Sequence, residues 1–321
     1  MGSGEVVRCR NGLGVLGELE IEELAGFVTP GSALDQQLVR VKGQVYVRKY
    51  VSRASGGRNP HLYDLLENEV RAGTRLGQVF RDAYPRQLAS LVAYNTDLEE
   101  PFVLLREYFG EPAAGPATRF ETADRLRFQH ELLRALQLVS IAGLVHGAVG
   151  METVRWHEGR LQLVDFEWAQ RVGEPRRPGR RSIARSPEQQ HGGGLVDGRD
   201  DVWGAGVLIR ELHLGRLGVN GHRGQDPTLL RDLLNPVFDR PVEHRPTAAD
   251  LLVRLHGDAT PPPFADPDAP LAAGRELFEQ VARRKTGAAP PPPAGKPRSW
   301  LRTLFTLMAL AVVALRGTRP W

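Results

Sequence analysis

Apolar and polar residues alternate along the N-terminal third of the chain. Residues 36–51, QQLVRVKGQVYVRKYV, alternate well enough to predict two strands joined near Lys42 and Gly43. We therefore expect a small β-rich region over residues 21–106. Residues 1–20 carry no pattern that assigns them to an element, and we treat them as an N-terminal extension. Three further stretches within the β-rich region are suited to strands: 21–27, 87–95 and 102–106.

Helical spacing dominates the middle of the chain. Residues 61–77 place apolar side chains on one face of a predicted helix, and residues 122–142 carry a broader apolar stripe. Residues 161–165, LQLVD, predict a short strand. Strands followed mostly by helices indicate an α+β fold with a helical region over 107–256. Three later helices are expected, at 200–213, 227–234 and 247–256.

The character of the sequence changes after residue 256. Residues 257–299 contain two proline runs, which are typical of an extended linker. The uncharged, apolar sequence TLFTLMALAVVAL follows, with Trp300 and Trp321 near its ends. We expect 300–316 to form a transmembrane helix, although its roughly 24 Å is short against about 30 Å of hydrocarbon. A helix docked on protein is the alternative.

Composition narrows the classes of function. The formal net charge of +4, from 42 Lys and Arg against 38 Asp and Glu, is too small to favour nucleic acid as a partner. The single Cys9 excludes an internal disulfide framework and favours a reducing compartment. We therefore expect a membrane protein with one C-terminal anchor and its main domain in the cytoplasm. A wholly cytoplasmic protein is the alternative.

The most informative motif is HGAVGMET, at 146–153, followed by a DFE turn at 165–167. In protein kinases the catalytic loop has the sequence HRDLKPEN and the metal-binding turn has the sequence DFG. Aligned without gaps, His146 keeps the first position, Ala148 stands at the catalytic Asp, and Thr153 stands at the metal-binding Asn. The chain therefore resembles the protein kinase-like superfamily, in a degenerate form of the bacterial Ser/Thr protein kinases.

Three further motifs follow in the order that this family has. SPE ends at Glu188, DVWGAGV begins at Asp201, and RPT begins at Arg245. The resemblance implies that Glu188 pairs with Arg245 and that Asp201 holds the backbone of the catalytic loop. It also implies a two-lobed protein kinase-like fold, with a small β-rich N-lobe at 21–106 and a helical C-lobe at 107–256, so that the expected fold is this domain followed by the C-terminal hydrophobic helix.

The resemblance implies ATP and Mg²⁺ as cofactors. Arg48 stands where the family has its phosphate-pairing lysine, and Glu69 stands at the helix residue that pairs with it. Neighbouring residues of a strand point to opposite faces, so with Arg48 in the site we expect Lys49 to point to solvent. Asp165 is implied as a magnesium ligand, whereas Thr153 offers a neutral hydroxyl in place of the second ligand. An exposed strand Arg48 is the alternative reading.

Two stretches compete for the role of phosphate loop. GLGVLG, at 12–17, has the glycine spacing of such a loop, but it lies more than thirty residues before Arg48, and we read it as a chance match. TPGS, at 29–32, lies between two expected strands and is better placed, with a single glycine.

The segment 165–188 is rich in arginine and contains neither Thr nor Tyr. It predicts a protein partner that is acidic or phosphorylated, although a solvated loop is the plain reading. Because the catalytic Asp is replaced, our first hypothesis is a pseudokinase that acts as a membrane-tethered scaffold or signalling regulator. Whether it binds nucleotide is left open. The alternatives are an atypical Ser/Thr kinase that uses Glu152 or Glu167 as a displaced carboxylate, and a small-molecule phosphotransferase.

Overall fold

The computed structural model describes residues 4–97, 99–177, 179, 182, 184–215, 226–239 and 241–286. The chain divides into two compact units, Met1–Asp266 and Pro267–Trp321. In the described part of the second unit, one helix spans Ala269–Thr286 (α9). The first unit contains the candidate site.

Six antiparallel strands form a closed barrel in the first unit, in the order β1-β2-β3-β4-β6-β5. The barrel closes where β1 pairs with β5, Arg10 opposite Tyr94 and Asn11 opposite Ala93. Alternate residues of these strands face an interior cluster that includes Val7, Cys9 and Phe102. The strands are β1 Glu5–Asn11, β2 Leu16–Gly26, β3 Asp35–Val41, β4 Gln44–Tyr50, β5 Leu91–Asn95 and β6 Phe102–Arg106.

One long helix, His61–Phe80, packs against β5 and β6 of the barrel, and a second, Thr122–Ile141, packs with the later helices and short strands of the unit. A continuous hydrophobic cluster runs from Val47 on β4, through the helix His61–Phe80, to Leu252 near the end of the unit. The helices are α1 Arg53–Arg58, α2 His61–Phe80, α3 Ala114–Ala117, α4 Thr122–Ile141, α5 Pro187–His191, α6 Arg199–Leu214, α7 Thr228–Leu234 and α8 Ala248–Arg254. The short strands are β7 Glu111–Pro112, β8 Leu144–Val145, β9 Val154–His157, β10 Arg160–Leu163 and β11 Gln170–Arg171.

The two long helices confirm the periodicity of the sequence. The helix predicted over 61–77 is α2, which continues to Phe80, and the helix predicted over 122–142 is α4. Both carry their buried residues as an apolar stripe, and both pack into the continuous cluster. Glu69 is a polar member of the buried face of α2, which directs its carboxylate towards β4.

The predicted fold class is wrong. We expect a two-lobed kinase-like fold with a small β-rich lobe over 21–106, but the structure has a closed six-stranded barrel that begins at Glu5. The residues set aside as an extension form β1 and the start of β2, and β1 supplies the pair that closes the barrel. The larger hydrophobic cluster also runs across the expected lobe boundary, so two separate lobe cores are absent from the described residues.

The predicted linker and membrane helix have different outcomes. The first compact unit reaches Asp266, and the Ala265 backbone N–H donates to the Val79 carbonyl at 2.8 Å, so residues 257–266 belong to the domain. The transmembrane helix predicted over 300–316 lies outside the described residues and stays a prediction. In the part of the chain that is described, no helix has both the length and the apolar character needed to cross a membrane.

Candidate functional site

A fully buried lysine lies at the centre of the candidate site. Lys49, on β4, places its ammonium nitrogen 3.1 Å from Glu69 of α2, 2.7 Å from Asp165 and 3.0 Å from Glu167. All four side chains are buried. Three carboxylates thus converge on one cation, and their charges interact strongly because little water screens them. We call these four residues the lysine cluster.

The phase of β4 directs Lys49, and not Arg48, into this cluster. Val47 and Val51 lie on the same side as Lys49 and are fully buried in the larger core. Arg48 faces the barrel interior, where its guanidinium lies 5.0 Å from the centre of the Phe102 ring. The predicted register, with Arg48 in the site and Lys49 towards solvent, is therefore wrong. The apolar spacing of Val47 and Val51 is the sequence signal that identifies the correct face.

The DFE turn presents two of the carboxylates. Asp165 adopts the left-handed backbone conformation, with φ 63°, which Asp tolerates better than most residues. A single 3-10 turn, Phe166–Trp168, follows and points Glu167 back towards Lys49. Asn68 of α2 donates to the Glu167 carbonyl at 3.0 Å. The turn is therefore bound to α2 through both its backbone and its charges.

The loop between β2 and β3 is folded onto these carboxylates. Thr29 donates its hydroxyl to Asp165 Oδ1 at 2.9 Å. Ser32 donates its hydroxyl to Glu167 Oε1, and the Ala33 backbone N–H donates to Glu167 Oε2 at 2.9 Å. We call residues 29–33 the cleft loop. It contains the stretch predicted as the phosphate loop, yet its donors bind the protein's own carboxylates.

Gly31 lets the cleft loop approach this closely. A Cβ atom at this position would lie 2.5 Å from Thr153 Cγ2 and 2.9 Å from Asp165 Oδ2, inside any normal contact. Asp165 Oδ2 is buried and has no hydrogen bond within the described residues. Such an oxygen is one that a cation would satisfy, but Gly31 lies directly against it. The cleft loop therefore approaches Asp165 Oδ2 at a distance that only glycine permits.

The loop at 146–153 is held by hydrogen bonds to α6, within itself and to Val164. Asp201, on α6, accepts from the His146 backbone N–H at 2.6 Å and from the Gly147 backbone N–H at 2.9 Å. Thr153 donates its hydroxyl to the Ala148 carbonyl at 2.9 Å, so this oxygen caps the loop. The His146 ring lies 2.9 Å from the Val164 carbonyl, and burial lowers the pKa of His146 to about 4. A neutral imidazole therefore links the loop to the DFE turn.

The space beside Ala148 is small. The cavity there has a volume of about 20 Å³, and its lining includes Ala148, Glu152, Arg185 and Asp201. This volume holds roughly one water molecule. Ala148 has no acceptor on its side chain, so it cannot take the proton of a substrate hydroxyl.

Arg155 is bound to the backbone of Phe109 and Gly110. We call the region between this backbone and the lysine cluster the cleft. Arg155 extends from β9 to the rings of Phe27 and Tyr108, which contact each other, with its guanidinium carbon 5.9 and 5.8 Å from their centres. Its Nε donates to the Phe109 carbonyl at 3.2 Å, and a terminal nitrogen donates to the Gly110 carbonyl. The side chain is almost fully buried. Neither periodicity nor the family motifs indicated a role for this residue.

The structural pair implied by the resemblance is brought together behind the site. Arg245 donates to both carboxylate oxygens of Glu188 at 2.7 Å. The Arg245 guanidinium also lies over the ring of Trp203, 4.9 Å from its centre. The hydrogen bonds from Arg245 lower the pKa of Glu188, against the effect of burial, which raises it. This pair connects α5 to the segment before α8.

The residues present do not fit a nucleotide with its magnesium ion. The ammonium of Lys49 is surrounded by Glu69, Asp165 and Glu167, and Glu167 uses both oxygens within the chain. In the described residues, no group of three or more His, Cys, Asp or Glu side chains is arranged to hold a metal ion. The three carboxylates of the cluster instead share a lysine as their counter-ion.

No protein-family model matches this chain, and its comparison with curated proteins finds no match. The resemblance to protein kinases therefore depends on the sequence motifs and stays a prediction.

Substitution of Lys49 tests the lysine cluster. Lys49→Met leaves three buried carboxylates without their cation, and we expect it to lower the free energy of unfolding by about 3–5 kcal/mol. Arg48→Met is the matched control, because the two residues are adjacent and face opposite sides of β4. We expect the control to cost about 1 kcal/mol. Urea unfolding followed by circular dichroism measures both, and equal losses would contradict the assigned register.

The pH dependence of stability tests the burial of Glu69. Burial, with the nearby charges of Glu167 and Asp165, raises the pKa of Glu69 to about 7, against the opposing effect of Lys49. The folded protein therefore retains a proton that the unfolded chain releases near its ordinary value of 4.5. It follows that this group lowers stability as the pH rises from about 4.5 to about 7, by about 3 kcal/mol in total.

Glu69→Gln removes this titration, so the fall in the free energy of unfolding between these pH values should become shallower. Glu67→Gln is the control, because Glu67 is an exposed partner of Arg71 on the same helix. Unfolding is measured at half-unit steps of pH for the three proteins. If Glu69→Gln and wild type have parallel profiles, Glu69 is not titrating in that range.

Proposed function

We propose that this protein is a catalytically impaired kinase-like signalling protein, a pseudokinase, that acts by binding another protein. The observation that carries the proposal is the lysine cluster, in which the groups implied for phosphate and metal binding bind one another and the cleft loop. Ala148 adds a second loss, since its side chain accepts no proton from a substrate hydroxyl. The order of the motifs supports the family, and their geometry supports the loss of chemistry.

The alternative, an atypical active kinase, needs a carboxylate that reaches an incoming hydroxyl. Glu167 is a poor candidate because both its oxygens are bound by Ser32, Ala33 and Lys49. Glu152 lines the cavity beside Ala148, but it matches the Glu of HRDLKPEN and not its catalytic Asp. These contacts favour the pseudokinase over the active enzyme.

An arginine-lined cavity suits an acidic or phosphorylated protein partner. It lies between α2 and the segment after the DFE turn and has a volume of about 260 Å³. Its lining contains four arginines and one acidic residue, Glu174, which lies 3.3 Å from Arg177. Carboxylate and phosphate oxygens accept paired hydrogen bonds from guanidinium groups, so this charge favours an anionic segment. The four arginines are Arg71, Arg75, Arg171 and Arg177.

A phosphoryl-transfer assay tests the loss of catalysis. With labelled ATP, Mg²⁺ and a mixed set of protein and peptide acceptors, we expect wild-type transfer to equal that of Asp165→Ala. Ala148→Asp restores a carboxylate but leaves the lysine cluster intact, so it too should show no transfer. Transfer by wild type that Asp165→Ala abolishes would establish an active kinase and overturn the proposal.

A peptide titration tests the arginine-lined cavity. We expect an acidic phosphoserine peptide to bind wild type, and the double substitution Arg71→Gln and Arg177→Gln to weaken binding at least about tenfold, since each charged hydrogen bond contributes about 1.5–3 kcal/mol. The control is Arg8→Gln with Arg40→Gln, two exposed arginines on the barrel that pair with glutamates. Fluorescence anisotropy measures each affinity. Equal weakening by both double substitutions would indicate general charge attraction and not this cavity.

A further inference from the structure

We propose that Arg155 and the cleft loop are a built-in occupant of the cleft and take the place of a nucleotide. The proposal goes beyond the loss of phosphoryl transfer, because a protein without transfer activity can still bind ATP. Two contact regions support it, one at each end of the cleft.

The first region is the lysine cluster, where phosphate and metal would have to bind. A phosphate needs the positive charge of Lys49, but three carboxylates already lie within 3.1 Å of its ammonium nitrogen. A phosphate beside them would add negative charge to an anionic, buried site, which is unfavourable at low dielectric. The hydroxyls of Thr29 and Ser32 and the Ala33 N–H bind Asp165 and Glu167 in the way that an external donor would.

The second region is formed by Arg155, on β9, and its contacts. Thr153, which lies against the cleft loop at Gly31, immediately precedes β9, and Arg155 is the second residue of this strand. Arg155 is bound to the backbone of Phe109 and Gly110. A nucleotide with its phosphates at Lys49 and its base at this backbone would have to displace Arg155.

The contacts of Arg155 are those that a purine base would make. A base stacks on aromatic faces and forms hydrogen bonds in its own plane, and a planar guanidinium has the same two abilities. Arg155 lies against Phe27 and Tyr108, and it donates to the Phe109 and Gly110 carbonyls. The Phe109 N–H is used as well, since it donates to Gln162 at 3.2 Å. Three backbone groups of this segment, the Phe109 N–H and the Phe109 and Gly110 carbonyls, are thus bound within the chain.

Nucleotide binding by the full-length protein is the direct test. We expect the melting temperature of wild type to be unchanged by millimolar MgATP, by ATP with a chelator, by Mg²⁺ alone and by adenosine. A specific ligand at a hundred times its Kd would raise stability by about 2.7 kcal/mol, which is readily measured. The proposal would be overturned if one of these probes raised the melting temperature of wild type, and if Arg155→Ala altered that rise but Arg160→Ala did not. Such a result would show that the cleft is open.

Substitution of Arg155 tests the occupant itself. Arg155→Ala removes the guanidinium, and we expect adenosine, which has no phosphates, to bind this variant at least about tenfold more tightly than wild type. Arg160→Ala is the matched control. The Arg160 guanidinium lies over the ring of Phe109, 5.8 Å from its centre, and its removal leaves the Arg155 contacts intact. Isothermal titration calorimetry measures both, after circular dichroism has shown that the variants are folded.

Arg155→Met is the second variant, because it keeps a long apolar side chain and supports folding if Arg155→Ala does not. It removes both donors, and we again expect a gain in adenosine affinity. A folded Arg155 variant without that gain would overturn the role of Arg155. The experiments measure binding, whereas the proposed function is tested by phosphoryl transfer, so that either can fail without the other.

Discussion

The constraint on which the rest of the structure depends is the burial of Lys49 among Glu69, Asp165 and Glu167. Removing four charges from water is costly, and the arrangement is stable only where attraction and hydrogen bonds offset that cost. The four groups come from β4, α2 and the DFE turn, so the cluster fixes the barrel, the helix and the turn to one another. Because burial raises the pKa of Glu69 to about 7, this carboxyl holds a proton for part of the time near neutral pH, which reduces the excess of negative charge.

Closure of the barrel explains why the cleft loop can serve as an internal ligand. The loop connects β2 to β3, and both strands are paired on either side, β2 with β1 and β3 with β4. Its ends are therefore fixed, and Gly31 supplies the close approach to Asp165. A loop held at both ends loses little further entropy when its hydroxyls bind carboxylates. The same barrel places Phe27, at the end of β2, against the guanidinium of Arg155.

The parts of this fold that sequence predicts are those in which one residue pattern decides the outcome. The long helices α2 and α4 follow from apolar periodicity, and the Glu188–Arg245 pair follows from motif order. The closed barrel does not follow, because most residues of β1 and β2 are exposed, so few of their positions report a buried face. Closure also depends on pairing between β1 and β5, some eighty residues apart. The site was misassigned by one residue at Lys49, since a motif alignment ignores which face of the strand is buried. Arg155 had no local signal, because its contacts are with distant rings and backbone.

The magnitudes decide whether a nucleotide could displace the internal contacts. Opening the cleft breaks two hydrogen bonds of Arg155 and three between the cleft loop and the carboxylates. Hydrogen bonds to charged groups contribute about 1.5–3 kcal/mol each, so five of them oppose opening by roughly 7–15 kcal/mol before any new contact forms. A ligand with an intrinsic Kd of about 1 μM supplies about 8 kcal/mol. Its apparent affinity falls by the fraction of molecules that are open, and at such opening energies that fraction is too small for binding at millimolar concentration. A ligand that binds at the surface of the domain does not have to overcome this opening energy.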